Sequence, residues 1–252
     1  MLIVSDVHAA FTELGAVAAL GEPLLVLGDL LNFVDYRTGA GIAADVYGRD
    51  HALEFIRNRK TGDWEANRRL WRRSTTGRLQ ELAVRTRESV LRQYAGAREA
   101  LTGSEAYVTF GNVDWPEEMR ASLSGAVRMV DAEVVEIEGY SVGFAGGGVP
   151  TPANARGEVS HEAMAAKLDA LGAVDILCTH VPPSVAPLHR DVVTGVLERS
   201  SPVLLEYLRT YQPPFHYFGD VHQPQAYSWR VGRTLCRNVG YFRATARAVR
   251  HA

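Results

Sequence analysis

Seven short apolar runs, at residues 2–4, 24–27, 107–110, 134–137, 142–145, 174–178 and 215–218, have strand length and are rich in β-branched or aromatic residues. Five of these runs lead into residue types that bind metals: Val4-Ser5-Asp6-Val7-His8, Leu27-Gly28-Asp29, Phe110-Gly111-Asn112, Cys178-Thr179-His180 and Phe218-Gly219-Asp220-Val221-His222. In α/β sheets the C-terminal ends of strands open on one crevice, so side chains placed there converge. A glycine before Asp29, Asn112 and Asp220 permits a tight turn and close backbone approach. Carboxylate, imidazole and amide donors together suit first-row divalent ions such as Mn²⁺, Fe²⁺ or Zn²⁺. Any one ending reads equally well as a turn or a hydrogen-bonded histidine. Five endings of the same kind, each after a strand-like run, point to a common metal centre.

Helical spacing fills several of the gaps. Phe11, Leu14, Val17 and Leu20 recur at that spacing, as do Met164, Leu168 and Leu171 behind a Ser160 cap; Val203, Leu204, Tyr207 and Leu208 make a further apolar face. Strands alternating with helices, then strand-rich stretches, predict an α/β protein with mixed sheets. From about 34 to 101 the strand signals stop and the chain turns helical and arginine-rich. Trp64, Arg68 and Trp71 share a face behind a cap at Asp63, and Leu79, Leu82, Ala83, Thr86, Val90 and Tyr94 trace a longer stripe that ends near Gly103. The expectation is one domain over 1–252, with 34–101 as a cap-like helical insertion between two core strands.

Composition narrows the function classes. A net charge of −2 argues against wholesale electrostatic binding to nucleic acid or membrane. No apolar stretch approaches the ~20 residues of a membrane helix, and the N-terminus enters a strand directly, so a cytoplasmic protein is expected. Cys178 and Cys236 match no metal or redox spacing, and Cys178 reads as a buried, reduced thiol.

Taken in order, Asp6-Val7-His8, Gly28-Asp29-Leu30-Leu31-Asn32, Gly111-Asn112-Val113-Asp114, the lone His180 and Gly219-Asp220-Val221-His222 resemble the motifs of the calcineurin-like metallophosphoesterases, spread over nearly the whole chain. The resemblance implies a sandwich of two mixed β-sheets flanked by helices. It further implies that Asp6, His8 and His222 hold a first metal, that Asn112, His180 and residue 220 hold a second, and that Asp29 bridges them. Asn112 and His180 would thus stand at the reacting centre. Asn32 and Asp114 are expected to orient Asp29 and the Asn112 loop from behind. Two ions ~3.5–4 Å apart can bind phosphate oxygens and lower the pKa of a bridging water. The implied activity is a phosphoesterase, phosphodiesters favoured over monoesters, with a small phosphate ester as substrate. A scaffold without turnover and a nuclease gripping nucleic acid through the Arg-rich insertion are the competing readings.

Two positions depart from the family pattern. Many members carry His after Gly-Asn, where this chain has Val113, so a general-acid candidate is missing; His189 is the substitute the sequence offers. Asp220 stands where His is usual. If it coordinates, three carboxylates and a bridging hydroxide neutralise two divalent ions, which favours Mn²⁺ or Fe²⁺ over Zn²⁺ and a monoanionic diester over a dianionic monoester. The Gly146-Gly147-Gly148 run lacks phosphate-loop spacing and reads as a turn.

Overall fold

A computed structural model describes residues 1–193 and 195–251. In chain order its first half runs β1 (Leu2–Val4), α1 (Phe11–Ala18), β2 (Leu24–Val26), α2 (Ile42–Tyr47), α3 (Arg49–Lys60), α4 (Trp64–Thr75), α5 (Leu79–Leu101), β3 (Ala106–Val108) and α6 (Pro116–Leu123). The second half runs β4 (Arg128–Met129), β5 (Glu133–Ile137), β6 (Tyr140–Ala145), α7 (His161–Leu171), β7 (Ile176–Thr179), α8 (Ala186–His189), α9 (Pro202–Tyr211), β8 (Phe215–Phe218), β9 (Ser228–Val231), β10 (Thr234–Asn238), α10 (Phe242–Thr245) and β11 (Val249–Arg250).

The strands form two mixed sheets. The five-stranded sheet is ordered β11-β1-β2-β3-β4, with β11 antiparallel to an otherwise parallel set. The six-stranded sheet is ordered β5-β6-β7-β8-β10-β9, parallel from β6 through β10 and antiparallel at both edges. Side-chain alternation distributes each strand between two layers. Ile3, Leu25 and Tyr107 from one sheet meet Val135, Val142, Phe144, Ile176, Cys178 and Tyr217 from the other in a shared core. The opposite faces of β1, β2 and β3 present Leu2, Val4, Leu24, Val26 and Val108 to α1, α5 and α6. Leu177 and Phe218 likewise pack under α7 and α9. Burial on both faces explains why these strands read as unbroken apolar runs rather than alternating ones.

The 34–101 stretch is helical, as α2 to α5. The Asp63 carboxylate accepts from the Ala66 N–H at 2.8 Å to cap α4, and Ser160 caps α7 through the Ala163 N–H at 3.1 Å. The stripe of α5 buries Leu82, Thr86, Val90, Tyr94, Ala97 and Leu101. Several positions differ from the sequence pattern: Ala83 and Arg68 are exposed, and α4 buries Asn67 and Leu70 while Trp64 and Trp71 are only half-buried. Leu20 is 60% exposed because α1 stops at Ala18, and Leu79 is 69% exposed because it occupies the first residue of α5, ahead of the packed turns. The strands β4, β9, β10 and β11 carry no apolar run. They are two residues long or of mixed polarity, and pairing alone makes them strands.

Candidate metal centre

The loops after β1, β2, β3, β7 and β8 bring the sequence-selected residues into one cluster. Backbone bonds lace the first two loops together: Asp6 N–H donates to the Gly28 carbonyl (3.2 Å) and His8 N–H to that of Asp29 (2.8 Å). Asp6, His8, Asp29 and Asp220 all adopt left-handed backbone conformations, with φ of 59°, 42°, 55° and 66°. Such conformations are uncommon outside glycine, and their concentration here is a form of local strain typical of functional sites.

Two of the inward imidazoles are aimed by their other nitrogen. His8 Nδ1 lies 2.8 Å from the Leu31 carbonyl and His180 Nδ1 lies 2.9 Å from that of Leu27. A carbonyl can only accept, so Nδ1 carries the proton in both, and Nε2 turns inward. His8 Nε2 stands 3.8 Å from Asp6 Oδ1 and 3.7 Å from Asp29 Oδ2. His180 Nε2 stands 3.1 Å from Asn112 Oδ1, 3.5 Å from Asp29 Oδ1 and 3.7 Å from Asp220 Oδ1. His222 Nε2 lies 3.4 Å from Asp6 Oδ1. Two sets have the mutual spacing of a metal site, Asp6-His8-His222 and Asp6-Asp29-His180. Both include Asp6, whereas the family resemblance gives the shared role to Asp29. Asp29 does face both ways, one oxygen toward His8 and the other toward His180, so both carboxylates lie between the two groups.

The electrostatics show what the cluster lacks. Burial penalises the Asp6 carboxylate, but the close approach of His222 and the charges of His222, His180 and His8 outweigh it and hold Asp6 below the usual range. Burial pushes Asp29 up to about 8 against the pull of His180, with Asp114, Asp6 and Asp220 adding to the rise. His180 goes up to about 9, since Asp29, Asp6 and Asp220 overcome the penalty of its burial. Asp220 rises to about 6, chiefly by burial. His8 falls to about 4, by burial and the charge of His222. Asp6 Oδ1 and His8 Nε2 are buried without a hydrogen-bond partner. Three crowded carboxylates and inward imidazole nitrogens are a donor set that cations satisfy and protons satisfy poorly, so the residues present fit divalent metal ions.

Groups behind the cluster hold it. The buried Asp114 carboxylate accepts from the backbone N–H groups of Asp29 (2.8 Å), Gly111 (2.9 Å), Leu30 (3.1 Å) and Leu31 (3.3 Å), tying the β2 and β3 loops together. Asn32 anchors through its backbone, whose N–H donates to Gln93 Oε1 of α5 at 2.7 Å. Val113 N–H donates to Asp29 Oδ1 at 3.1 Å, so that residue acts through its backbone too. A side chain at Gly111 would meet the Asp29 nitrogen and His180 Cε1, both at 2.7 Å, and one at Gly148 would meet Asn112 Cα at 2.9 Å. The glycine run at 146–148 therefore serves close packing behind the Asn112 loop.

His189 is not drawn in. Its Nδ1 faces the Glu198 carbonyl at 2.7 Å, and among the described residues none of its hydrogen bonds or ring contacts reaches the cluster. Two flanking residues escaped the sequence reading. Glu198, solvent-accessible but raised by partial desolvation, acts electrostatically on Asp220 and His222 and is itself drawn on by Arg59 of α3. Tyr241 stacks on His222, with ring centroids 3.8 Å apart and an interplanar angle of 0°. Neither sits in a motif that marks it.

No protein-family model and no curated protein matches the chain. Among solved structures it is similar to the crystal structure of TT1561 of Thermus thermophilus, at 12% identity and a TM-score of 0.54, over 98% of this chain and 96% of that one. At that identity the likeness establishes the fold alone.

Proposed function

We propose that this chain is a dinuclear metal-dependent phosphoesterase of the calcineurin-like kind, acting on small phosphodiesters. The observation that carries the reading is the ring of inward donors: Nε2 of His8, His180 and His222 around the buried carboxylates of Asp6 and Asp29, at 3.4–3.8 Å. In this reading Asp6, His8 and His222 hold one ion and Asn112, His180 and Asp220 the other, with Asp29 between them. Two divalent ions so placed supply a nucleophile at neutral pH and neutralise charge on the phosphoryl oxygens. The residues' own task is orientation. The Leu31 and Leu27 carbonyls fix the His8 and His180 tautomers, Asp114 fixes the Asp29 backbone, and Val113 N–H holds one Asp29 oxygen.

The preference for a diester, and for Mn²⁺ or Fe²⁺ over Zn²⁺, rests on Asp220, whose Oδ1 stands 3.7 Å from His180 Nε2 and adds a third carboxylate to the site. A nuclease gripping through the insertion is less favoured, because some insertion arginines are already paired: Arg69 with Glu65, Arg73 with Glu54, Arg78 and Arg85 with Glu81 and Arg87 with Glu118. The test is hydrolysis of bis(p-nitrophenyl) phosphate against p-nitrophenyl phosphate by chelator-treated protein reloaded with Mn²⁺ or Zn²⁺. The diester with Mn²⁺ should turn over fastest, and Asp29→Asn should lower the rate by roughly 100-fold or more. Metal binding without turnover of either ester would leave a scaffold instead. A faster monoester, with Zn²⁺ outperforming Mn²⁺, would overturn the role given to Asp220.

A further inference from the structure

The end of β10 and the segment after it carry none of the candidate ligands, yet they contact Asp6, His8 and His222 in turn. At their start the buried Asn238 amide donates to the Val221 carbonyl at 2.9 Å, holding the loop between Asp220 and His222, while its oxygen accepts from the Gly240 N–H at 2.7 Å. That pair of bonds fixes the turn delivering Tyr241. The Tyr241 ring then lies parallel on His222 and meets the edge of His8 at 5.8 Å between centroids, while His8 and His222 stand edge to face at 5.5 Å. Beyond it, the Phe242 and Arg243 N–H groups donate to the Ser5 and Asp6 carbonyls, both at 3.1 Å. The Arg243 guanidinium donates to the His8 carbonyl and, at 3.0 Å, to Asp35.

We propose that Tyr241 is a positioning residue of the first metal site, its ring fixing the His222 imidazole in the metal-binding orientation and favouring its metal-bound form. The inference rests on the metal-centre reading above and names a residue that reading does not use. The physical reason is twofold. His222 is the most exposed of the three inward histidines, at 34% of its side chain. His8 and His180 are aimed by carbonyls at Nδ1, and for His222 the ring stack takes that place. An imidazole that gives its lone pair to a cation becomes electron-poor, and the electron-rich face of a phenol then attracts it more strongly than it attracts the neutral ring. The stack thus orients His222 and biases it toward the metal-bound state.

Tyr241→Phe keeps the ring and Tyr241→Ala removes it, so the pair separates stacking from hydroxyl chemistry. Calorimetric titration of Mn²⁺ into chelator-treated protein should show two ions for the wild type and for Tyr241→Phe. In Tyr241→Ala one affinity should fall by roughly 10–100-fold while the other holds. A second readout needs no metal: the His222 ring protons should carry an upfield ring-current shift in the NMR spectrum of wild type and Tyr241→Phe that Tyr241→Ala loses. Unchanged affinity for both ions in a folded Tyr241→Ala overturns the proposal. So does an equal weakening of both sites, which marks a general structural role. A wild type that binds no ion overturns the metal-centre reading instead, and the NMR comparison then decides whether Tyr241 fixes the His222 ring.

Discussion

At the scale of single residues, His216 shows how a buried side chain outside the cluster supports it. Its Nε2 lies 2.9 Å from Thr179 Oγ1, and that hydroxyl donates its one proton to the Val181 carbonyl, also at 2.9 Å. The hydroxyl must therefore accept from His216, which places the proton on Nε2 and leaves Nδ1 bare and buried. Thr179 and Val181 flank His180, so this chain of bonds braces that residue from behind. Burial lowers His216 to about 3. Because the folded pKa lies below the unfolded one, its contribution is fully present above about pH 6.5 and is lost as the pH falls toward 3. At pH 4.5 the loss amounts to roughly 2–3 kcal/mol. Urea unfolding of chelator-treated protein should show it as a fall in stability between pH 6.5 and 4.5 that is shallower by that amount in His216→Leu. Parallel slopes for the two proteins would show that His216 is protonated without penalty.

Among elements, α5 does more than cover a sheet. Its stripe packs against α1 and α6, and at the centre of the stripe the Tyr94 hydroxyl accepts from the Trp115 N–H at 2.7 Å and donates to Asp114 Oδ1 at 3.4 Å. The helix is thereby connected to the carboxylate that gathers the β2 and β3 loops. Gln93, one residue earlier, holds the Asn32 backbone. Long amphipathic helices owe most of their stability to tertiary packing, and here that packing also registers the candidate metal loops. Tyr94→Phe keeps the ring but leaves the half-buried Trp115 N–H without its hydroxyl partner, at a cost of about 1 kcal/mol. Asp114→Ala strands four backbone donors and should cost more, with a lower affinity for metal besides. Chemical denaturation together with a Mn²⁺ titration separates the two effects. An Asp114→Ala protein with unaltered metal affinity would show that the loops hold their arrangement without the carboxylate.

For the whole molecule, the candidate ligands come from both sheets: Asp6, His8, Asp29 and Asn112 from the five-stranded one, His180, Asp220 and His222 from the six-stranded one. A cation held by both sets links the two halves of the sandwich, and the unfolded chain offers no comparable site. Binding should therefore stabilise the fold by about 2.7 kcal/mol at 100 times the dissociation constant. For a chain of this length that corresponds to roughly 5–10 °C in Tm. Saturating Mn²⁺ added to chelator-treated protein should produce a shift of this order in a thermal melt, and Asp29→Asn should diminish it. No shift in wild type would mean that the two sheets do not share an ion.

The sequence by itself determined the strands buried on both faces, the helical periods of α1, α5, α7 and α9, and the polar residues at the strand ends. These signals are local: an apolar run marks a buried parallel strand, and a Gly-Asp or Gly-Asn at its end stands out against it. Tertiary structure decided which strands are neighbours, which nitrogen of each imidazole turns inward, and what stands behind the ligands. Arg243 bonds to the His8 carbonyl, Asp220 N–H to Asp6 Oδ2, and Tyr94 to Asp114. Partners so distant in the chain leave no period or spacing to read. Tyr241 is the clearest case: in sequence it is an unremarked aromatic beyond the last motif, and the return of the chain past β1 after β10 lays it on His222.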